Sequence, residues 1–371
     1  MHRFRMGLIG GGPGAFIGPI HRIAAELDRE IELVAGAFSS DAARSRLAGE
    51  SYRIGADRAY PDVATMLAVE AGREDGIDFV TIASPNRHHL PAARMALEAG
   101  IAVMSDKPAT ATLDEARELA GIVKRAGRPY GLSYTYSGYP LVREARARVA
   151  AGALGTVRKV IVEYAQGWLA GAAEGKQAEW RVDPARAGDG GAIADIGVHA
   201  FHLAEFVTGL RVTRLLADLA SVVQGRRLDD DCQLLLRFDN GARGALLASQ
   251  VMTGERNGLR LRVYGDKAGL DWSQEQPNQL TWRHGDGRTE IIQAADASLG
   301  EDALWATRTP GGHPEGYLEA FANLYRDFAR QLRGEPDSLL PGIEEGLRGM
   351  ALIHHSVTAS PESAGWINFE V

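Results

Sequence analysis

Three groups of residues in this chain are suited to nucleotide binding and proton transfer. The first is a glycine-rich run that follows an apolar segment and precedes a helical pattern: Gly10, Gly11, Gly12, Pro13, Gly14 and Ala15. The run fits Gly-x-Gly-x-x-Ala, in which the first glycine permits a tight turn, the second lets the backbone approach a pyrophosphate, and the small third residue lets helix pack on strand. The phosphates would lie at the helix N-terminus. A glycine-rich turn that binds no ligand is the alternative.

The second group follows two predicted strands, at the edge where open α/β sheets bind ligands. Pro85 and Asn86 come after one strand; Pro85 fixes the turn, and Asn86 can donate and accept hydrogen bonds toward a ribose or an amide. Lys107 comes after the next strand, between Asp106 and Pro108. Because proline cannot continue a strand's hydrogen bonding, Lys107 lies at the strand end, where its ammonium can donate to an alcohol oxygen. An ordinary turn and a surface lysine are the alternatives.

The third group is a predicted helix that begins after a glycine-rich loop and carries Asp195 and His199. Four residues apart, the two side chains lie on one helical face, so a carboxylate and an imidazole can converge on one substrate. Histidine accepts a hydroxyl proton near neutral pH, and a nearby acid orients the substrate or favours the imidazolium. An ordinary surface pair is the alternative. We interpret His88 and His89 as helix-entry residues and His202 as structural.

The end of the second predicted strand leaves the choice between NAD and NADP open. Dinucleotide sites usually have an acid about 20 residues after the glycines, which binds the ribose 2′-hydroxyl. Here Ser39 and Ser40 end the strand, and Asp41 is the first acid. The two hydroxyls, with Arg44 nearby, could accommodate a 2′-phosphate, whereas Asp41 could simply cap the next helix.

Composition and charge exclude several classes of protein. The chain has 371 residues, with 41 basic and 48 acidic side chains and a formal net charge of −7, so it lacks a basic footprint for nucleic acid or an anionic membrane. Its one cysteine, Cys232, cannot form an internal disulfide and gives no zinc-site spacing, so we expect no metal. Glycines interrupt the apolar stretch near Met1, and no run of about 18 apolar residues occurs. We expect a cytoplasmic protein.

The first third of the chain alternates short apolar runs with helical patterns, which is typical of a parallel sheet covered by crossover helices. Strands are predicted at 5–9, 31–37, 78–84, 101–105 and 130–135, with a further short extended piece at Tyr60. Helices are predicted at 17–29, 41–50, 62–71, 89–99 and 113–126. Six strand signals with intervening helices predict a doubly wound Rossmann sheet.

After about residue 136, strands follow one another directly, which implies an antiparallel sheet. They are predicted at 157–164, 212–223, 232–238, 242–250, 259–264 and 269–272, with helices at 192–207, 315–333 and 343–356. The three acids at 229–231 are interpreted as a solvated turn. The predicted fold class is therefore α/β plus α+β, with an N-terminal Rossmann dinucleotide-binding domain at 1–130 and a C-terminal, open, mainly antiparallel β-sheet domain at 131–371.

In this order, the glycine run, Pro85-Asn86, Lys107-Pro108 and the Asp195 and His199 pair resemble the Gfo/Idh/MocA family of NAD(P)-dependent oxidoreductases. The likeness covers nearly the whole chain, although the family's usual Glu-Lys-Pro is Asp-Lys-Pro here. It implies that Lys107 assists the reacting hydroxyl, His199 is the acid/base, and Asp195 binds substrate or tunes the pair. The nicotinamide would exchange hydride with a ring carbon of a sugar or cyclitol, and the C-terminal sheet would bind substrate and build a homodimer or homotetramer.

A closer likeness, to members that oxidise anhydrosugars or glycosides, rests on three segments of the C-terminal half. They contain Trp168, Trp180 with Arg181, and His313. The tryptophans could offer flat faces to a pyranose, and Arg181 or His313 could donate hydrogen bonds to its hydroxyls. Tryptophans that fill the seam between the two predicted domains are the alternative. Members of this group mostly use NAD.

Two other functions remain open at this level. One is NAD-dependent glycoside hydrolase or lyase chemistry, with the ring oxidised transiently and the hydride returned. The other is a non-catalytic nucleotide-sensing protein, against which the joint presence of Lys107, Asp195 and His199 argues. We expect Lys107 and His199 to meet over the same face of a bound nicotinamide.

Overall fold

The computed structural model describes residues 3–171, 182–335, 338–359 and 365–371. The chain forms two compact units, one of residues 1–134 with 321–347 and one of residues 135–320 with 348–371. The chain therefore returns to the first unit near its C-terminal end. The sequence predicts a cofactor-binding domain at 1–130 and a substrate-binding domain at 131–371. This assignment of roles stays a prediction.

The first unit contains a parallel sheet of five strands. They are β1 (Phe4–Gly10), β2 (Ile31–Ala37), β3 (Phe79–Ala83), β4 (Ala102–Ser105) and β5 (Tyr130–Leu132). The strand order is β2-β1-β3-β4-β5, so the winding of the chain reverses between β1 and β3, where sheets of this kind bind their ligands. Every residue of β3 is buried, as expected for a strand covered on both faces.

The short extended piece predicted at Tyr60 does not become a sixth strand of this sheet. Ala59 makes an isolated parallel bridge to Gly36, and the Tyr60 N–H donates to the Gly36 carbonyl at 2.8 Å. The Tyr60 hydroxyl donates to the buried carboxylate of Glu70 at 2.7 Å. The segment is anchored at the sheet edge but is too short to extend the sheet.

Five helices connect these strands: α1 (Ile17–Glu26), α2 (Ala42–Tyr52), α3 (Val63–Glu70), α4 (His89–Glu98) and α5 (Leu113–Ala126). Side-chain caps explain where three of them begin. Asp41, Asp62 and Thr112 each accept a hydrogen bond from the backbone N–H three residues on, which satisfies a donor that the first turn leaves free. Helix α1 is shorter than predicted because Arg29 has a left-handed φ of 60°, which a helix cannot include.

The second unit contains a nine-stranded sheet in the order β13-β12-β11-β10-β6-β9-β8-β7-β14. Its strands are β6 (Val157–Ala165), β7 (Val212–Ala220), β8 (Asp231–Phe238), β9 (Arg243–Ser249), β10 (Gly258–Gly265), β11 (Ala268–Ser273), β12 (Gln279–His284), β13 (Thr289–Gln293) and β14 (Ile367–Asn368). All neighbours in it are antiparallel except β6 and β9. The predicted α/β plus α+β fold class is confirmed, although β12, β13 and β14 were not predicted.

The remaining helices are α6 (Pro140–Ala150), α7 (Pro184–Ala187), α8 (Val198–Thr208), α9 (Glu301–Trp305), α10 (Tyr317–Leu332) and α11 (Ile343–Ala359). The helix predicted at 192–207 is interrupted: residues 193–197 form one π-helical turn, in which the Val198 N–H donates to the Ile193 carbonyl five residues back. Within the described ranges, none of the helices has the length and apolarity needed to span a bilayer.

Candidate active site

The glycine-rich loop leaves β1 where the winding of the sheet reverses. Gly10 has a φ of +91°, and a Cβ there would lie 2.4 Å from the carbonyl oxygen of Ala83, at the end of β3. A Cβ at Gly12 would lie 2.6 Å from the carbonyl oxygen of Phe38, just after β2. Both positions therefore require glycine, because the loop lies directly against the ends of the two neighbouring strands.

Helix α2 holds the backbone of this loop from its other side. The Tyr52 hydroxyl donates to the Gly11 carbonyl at 2.8 Å, and the Arg22 guanidinium lies 5.6 Å from the centre of the Tyr52 ring. A cavity of about 350 Å³ adjoins the loop. It is lined by Gly11, Gly12, Pro13, Gly14, Ala15, Pro19, Arg22, Ile23, Ser51 and Tyr52. A loop that exposes backbone beside open space, at the N-terminal side of a helix, fits a pyrophosphate.

The carboxyl end of β2 carries the residues that bear on the choice of cofactor. Ser39 is partly buried, whereas Ser40 and Arg44 are exposed. The Asp41 carboxylate accepts a hydrogen bond from the backbone N–H of Arg44 at 2.8 Å and caps α2. Asp41 is therefore a helix cap. NAD and NADP both remain compatible with this strand end.

His89 fastens together the two loops that follow β3 and β4. Its Nε2 lies 2.8 Å from the carbonyl oxygen of Ser84, its Nδ1 lies 2.8 Å from that of Pro108, and its side chain is buried. A ring placed between two carbonyls can donate its N–H to either of them, and the tautomer decides which one accepts it. The loop of Asn86 is thus held to the loop of Lys107. His89 does begin a helix, as predicted, but it also makes this bridge.

Asp106 orders the backbone around Lys107. Its N–H donates to the Ile82 carbonyl at 2.8 Å, and its carboxylate accepts from the Lys107 N–H at 2.9 Å and from the Ser133 hydroxyl at 2.7 Å. The side chain of Asp106 therefore binds the backbone N–H of the next residue. Lys107 and Asn86, both predicted to contact the cofactor, follow adjacent strands of one sheet.

A buried histidine outside the predicted site lies behind this loop. The Nδ1 of His21, on α1, is 2.7 Å from the Tyr325 hydroxyl, and its Nε2 is 4.0 Å from the Asp106 carboxylate. The Tyr325 hydroxyl is also 3.1 Å from that of Thr81, on β3. Burial lowers the pKa of His21 to about 4, although the charge of Asp106 opposes the shift. His21 is therefore neutral at pH 7 and belongs to the buried polar support of the Lys107 loop.

In the second unit, Asp195 lies in the π-helical turn, and His199 lies in the first turn of α8. The carboxylate of Asp229 holds the start of this turn by accepting from the N–H groups of Gly191 at 2.6 Å and Ile193 at 2.8 Å. Burial raises the pKa of Asp229, and the two backbone donors oppose that shift. Single π-helical turns are frequent at functional sites, and here the turn carries the predicted carboxylate.

The solvated turn predicted at 229–231 is therefore wrong. Asp229 is half-buried and Asp230 is buried. Asp230 accepts hydrogen bonds from the N–H groups of Val222 at 2.7 Å and Val223 at 3.1 Å, and from the Arg226 guanidinium at 3.1 Å. Burying an unpaired carboxylate is costly, but these donors compensate the charge, and a run of acids does not reveal such donors in advance.

Polar side chains that follow β6 and β9 form a network that reaches Asp195. The side-chain amide of Gln250 donates to Asp195 Oδ2 at 2.9 Å and to Gln166 Oε1 at 3.4 Å. The Trp168 indole donates to the same Gln166 oxygen at 2.8 Å. The Gln166 amide donates in turn to Asn257 Oδ1 at 2.9 Å. The network thus connects the predicted catalytic carboxylate with a predicted substrate-contacting tryptophan.

The imidazole of His199 packs against two tyrosines of the same network. Its ring centroid is 4.9 Å from that of Tyr136 and 6.4 Å from that of Tyr164. The two tyrosine hydroxyls are hydrogen-bonded to each other, and Tyr164 donates to Asn257 at 2.7 Å. Burial raises the pKa of both tyrosines, and the charge of Asp195 adds to the increase. Asp195 and His199 therefore border one pair of protonated tyrosines.

The other predicted substrate-contacting residues lie in different surroundings. Trp168 is 45% exposed while its indole N–H is bonded to the network, so one ring can both anchor and face a ligand. His313 is exposed, and its Nδ1 lies 3.2 Å from the carbonyl of Pro310 in its own loop. Trp180 and Arg181 lie outside the described residues.

Several residues that support the candidate residues within each unit were not found from the sequence. They are His21, His89, Asp229, Gln250 and Asn257. One signal could have found Gln250: it directly follows a strand, as does Gln166. In the first unit, Asn86 and Lys107 were predicted because they follow strands of a parallel sheet. Strands β6 and β9 of the second unit are also parallel, so the same rule applies to Gln166 and Gln250.

Among the residues with described positions, no group of three or more His, Cys, Asp or Glu side chains could hold a metal ion. The one thiol, Cys232, is buried, and burial raises its pKa well above the ordinary value. A thiol kept protonated in this way is a poor metal ligand.

Two family models match the chain in succession. The model described as an oxidoreductase family with an NAD-binding Rossmann fold matches residues 4–134. The model for the GFO/IDH/MocA C-terminal domain matches residues 142–271. The first match covers the glycine loop and Lys107, and the second covers Asp195 and His199.

Full-length relatives agree with these matches. The uncharacterized oxidoreductase YfiI of Bacillus subtilis is 32% identical over 99% of this chain and 97% of its own length. An oxidoreductase of Sinorhizobium meliloti is 40% identical, with a TM-score of 0.91 over 99% of this chain and 100% of that chain. An inositol dehydrogenase homolog of Azotobacter vinelandii, solved with NADH and myo-inositol, is 35% identical, with a TM-score of 0.93 over 99% and 98% of the two chains. The chain belongs to the Gfo/Idh/MocA family of oxidoreductases and carries that family's NAD-binding Rossmann domain.

Proposed function

We propose that the protein transfers a hydride between NAD or NADP and a hydroxyl-bearing ring carbon of a sugar, glycoside or cyclitol. The observation that carries this proposal is that Asp195 and His199 border one pair of protonated tyrosines, next to a tryptophan held by its indole N–H. A carboxylate, an imidazole and an indole face are groups that recognise a polyhydroxylated ring. The relative solved with NADH and myo-inositol supports both the cofactor and the substrate class.

We assign the proton chemistry to two side chains. The His199 imidazole takes the proton of the reacting hydroxyl, a task for which histidine is suited near neutral pH. The Lys107 ammonium donates a hydrogen bond to the same oxygen and stabilises its developing negative charge. The Asp195 carboxylate accepts from a neighbouring substrate hydroxyl or stabilises the imidazolium. When bound, the nicotinamide supplies the acceptor for the hydride that leaves the ring carbon.

The cofactor would be held by the glycine loop and the ends of the neighbouring strands. Gly10, Gly12, Pro13, Gly14 and Ala15 would face the pyrophosphate, Ser39, Ser40 and Arg44 the adenosine ribose, and Pro85, Asn86 and Lys107 the nicotinamide ribose. NAD is the favoured cofactor because the A. vinelandii homolog was solved with NADH. Asp41, engaged as a helix cap, leaves the serine hydroxyls as the groups that would bind a ribose 2′-hydroxyl.

The substrate would be held by Trp168 together with Lys107, Asp195 and His199. Trp180, Arg181 and His313 keep their predicted roles as further contacts. An aromatic face against the apolar side of a sugar ring, with charged groups on its hydroxyls, gives both orientation and selectivity.

We also propose that copies of the chain associate through the exposed face of the second unit's sheet, as a homodimer or homotetramer in the cytoplasm. Leu235 on β8 is 46% exposed and Ile291 on β13 is 47% exposed, and these apolar side chains would be covered in such an assembly. Light scattering on wild-type protein and on Leu235→Arg tests this. A wild-type monomer contradicts it.

The direct test of function is the formation of reduced nicotinamide from NAD or NADP with a panel of cyclitols, pyranosides and anhydrosugars. Turnover of a ring polyol, with net accumulation of reduced cofactor, supports the proposal. Tight cofactor binding without turnover on any member of the panel contradicts it, and bond cleavage without net reduced cofactor would indicate redox-assisted cleavage instead.

A further inference from the structure

We propose that Gln250 is a positioning residue, which holds the carboxylate of Asp195 in its working orientation. Through Gln166 and Asn257, the same amide network sets the direction of the hydrogen bonds on the tyrosines beside His199. This inference rests on the proposed function, since it concerns how that site is held.

The backbone of Gln250 is fixed on both sides, so its side chain starts from a rigid point. Its N–H donates to the Asp230 carbonyl at 2.8 Å, and its carbonyl accepts from the Leu169 N–H at 3.2 Å. The residue is 2% exposed. The parallel pairing of β6 and β9 places Ala165 opposite Ser249, so Gln166 and Gln250 leave the sheet side by side.

The side-chain amide of Gln250 uses its NH₂ group for two acceptors. One is Asp195 Oδ2 at 2.9 Å and the other is Gln166 Oε1 at 3.4 Å. An ionised carboxylate only accepts hydrogen bonds, so the bond to Asp195 needs the NH₂ end of the amide. A hydrogen bond to a charged group also constrains its orientation more strongly than a neutral one.

The orientation of Gln166 follows from its partners. The indole nitrogen of Trp168 is a donor only, so the amide oxygen of Gln166 must face it, at 2.8 Å. The NH₂ group of Gln166 then faces Asn257 Oδ1, at 2.9 Å. Gln250 donates to the same Gln166 oxygen and so reinforces this one orientation.

The direction of the tyrosine hydrogen bonds follows in turn. Asn257 Oδ1 also accepts from the Tyr164 hydroxyl at 2.7 Å, which commits the one proton of Tyr164. The bond between the two tyrosine hydroxyls must therefore run from Tyr136 to Tyr164. The Asn257 NH₂ group faces the remaining lone pair of Tyr136 at 3.4 Å. The hydroxyl proton of Tyr136, whose ring packs on His199, therefore points toward Tyr164 and away from Asn257.

Other titratable side chains surround Asp195 and bear on any pH measurement. They are Tyr136 and Tyr164, whose pKa values respond to its charge, His199 against the ring of Tyr136, and Asp229 at the start of the π-helical turn. Both tyrosines have a raised pKa and stay protonated through neutral pH. Because the tyrosines do not titrate near neutral pH, a carboxyl group introduced at position 250 would add one titration that can be attributed to it.

Two variants separate the donor from the shape of the side chain. Gln250→Met keeps the length but removes the NH₂ donor, and we expect kcat/KM to fall about 10- to 100-fold by a factor that does not change with pH. Gln250→Glu places a second carboxyl against that of Asp195. At low pH the pair shares a proton and a hydrogen bond, whereas at high pH two like charges repel. The loss for Gln250→Glu should therefore grow as the pH rises.

Unfolding in urea gives a readout that needs no substrate. The shared proton raises the pKa of the carboxyl pair in folded Gln250→Glu above its unfolded value, so this variant should lose stability relative to wild type as the pH rises from about 5 to about 8. Gln250→Met should differ from wild type by a constant amount. Gln224→Glu, at an exposed glutamine in the turn after β7, is the matched control and should behave like wild type in both assays.

Parallel pH profiles for Gln250→Glu and Gln250→Met in unfolding would overturn the contact with Asp195. Wild-type kinetics in Gln250→Met would overturn the positioning role even if the contact is present. If the wild-type protein turns over no ring polyol, the proposed function and the catalytic part of this inference both fail. The unfolding series then still decides, by itself, whether Gln250 holds Asp195.

Discussion

The imidazole of His199 stands edge-on to the ring of Tyr136, with the ring centroids 4.9 Å apart and the planes at 84°. Tyr136 is itself held, since its ring stacks on that of Tyr139 at 6.3 Å and its hydroxyl is bonded to that of Tyr164. An aromatic edge against a face is a favourable and directional contact. The orientation of the proposed acid/base is therefore set by a neighbouring ring as well as by its own helix.

Tyr136→Ala should lower kcat/KM about 100-fold, because a displaced imidazole no longer meets the reacting hydroxyl. Tyr136→Phe keeps the ring and loses only the hydroxyl, so we expect its kcat/KM to be roughly 10-fold higher than that of Tyr136→Ala. Steady-state kinetics on both variants, with circular dichroism to verify folding, check this. Equal activity in the two variants would show that the ring contact does not matter.

His89→Leu should weaken both the fold and cofactor binding. The change removes the ring N–H that bonds to the carbonyl of Ser84 or of Pro108, and a buried acceptor left without its donor costs about 2 kcal/mol in free energy of unfolding. The loops of Asn86 and Lys107 then lose their link, and we expect NADH affinity to fall about 10-fold.

Urea unfolding and fluorescence titration with NADH measure these two effects of His89→Leu. The neighbouring His88 is exposed, so His88→Leu is the matched control and should stay close to wild type. If the two leucine variants bind NADH equally well, the bridge has no part in cofactor binding.

Acid should destabilise the protein through its buried neutral histidines. Burial lowers the pKa of His21 from 6.5 to about 4 and, with help from Arg211 and Arg146, that of His202 from 6.5 to about 3. The unfolded chain therefore binds more protons below about pH 6.5, and stability falls as the pH falls toward 4. Each histidine contributes on the order of 3 kcal/mol to this loss by pH 4.

The variants His21→Asn and His202→Asn should each flatten the dependence of unfolding free energy on pH in this window. His354 is exposed, so His354→Asn should retain the wild-type slope. Urea unfolding at several pH values gives the three slopes. Identical slopes in all three variants would mean that neither buried ring resists protonation.

Arg44→Ala should separate the two cofactors. If Arg44 meets a 2′-phosphate, its loss weakens NADPH binding by about 10-fold or more, since bonds to charged groups are the strong ones, and leaves NADH affinity unchanged. Titration of wild type and variant with both cofactors measures this. We expect wild type to bind NADH more tightly than NADPH. If Arg44→Ala weakens the binding of NADH as much as that of NADPH, Arg44 does not lie at the 2′ position.

The features that the sequence predicts well are those set by local sterics and periodicity. Gly10 is required because any Cβ would meet the end of β3, and such a requirement is visible in a glycine motif between an apolar run and a helix. Thr112 caps its helix by accepting from Glu115 at 3.2 Å, again a signal confined to four residues. These local rules sufficed for the fold class and for the residues at the strand ends.

The features that escaped prediction depend on contacts between distant parts of the chain. Gln250 and Asp195 are 55 positions apart, and no local pattern announces that one donates to the other. Asp229 is one of three consecutive acids that look solvated, yet its donors lie 36 and 38 positions away. The sequence of the π-helical turn has the pattern of an ordinary α-helix. The turn can be recognised only from its backbone hydrogen bonds, which span five residues instead of four.

The most direct test of the account is a double-mutant cycle on Lys107 and His199 with a ring polyol that the wild type oxidises. We predict that Lys107→Ala and His199→Ala each lower kcat/KM by about 10²- to 10⁴-fold. The double variant should fall far less than the product of the two losses, because groups that act on one oxygen in one step fail as a unit. Near wild-type rates in either single variant, or losses that simply multiply, would contradict the claim that the two residues act on the same hydroxyl.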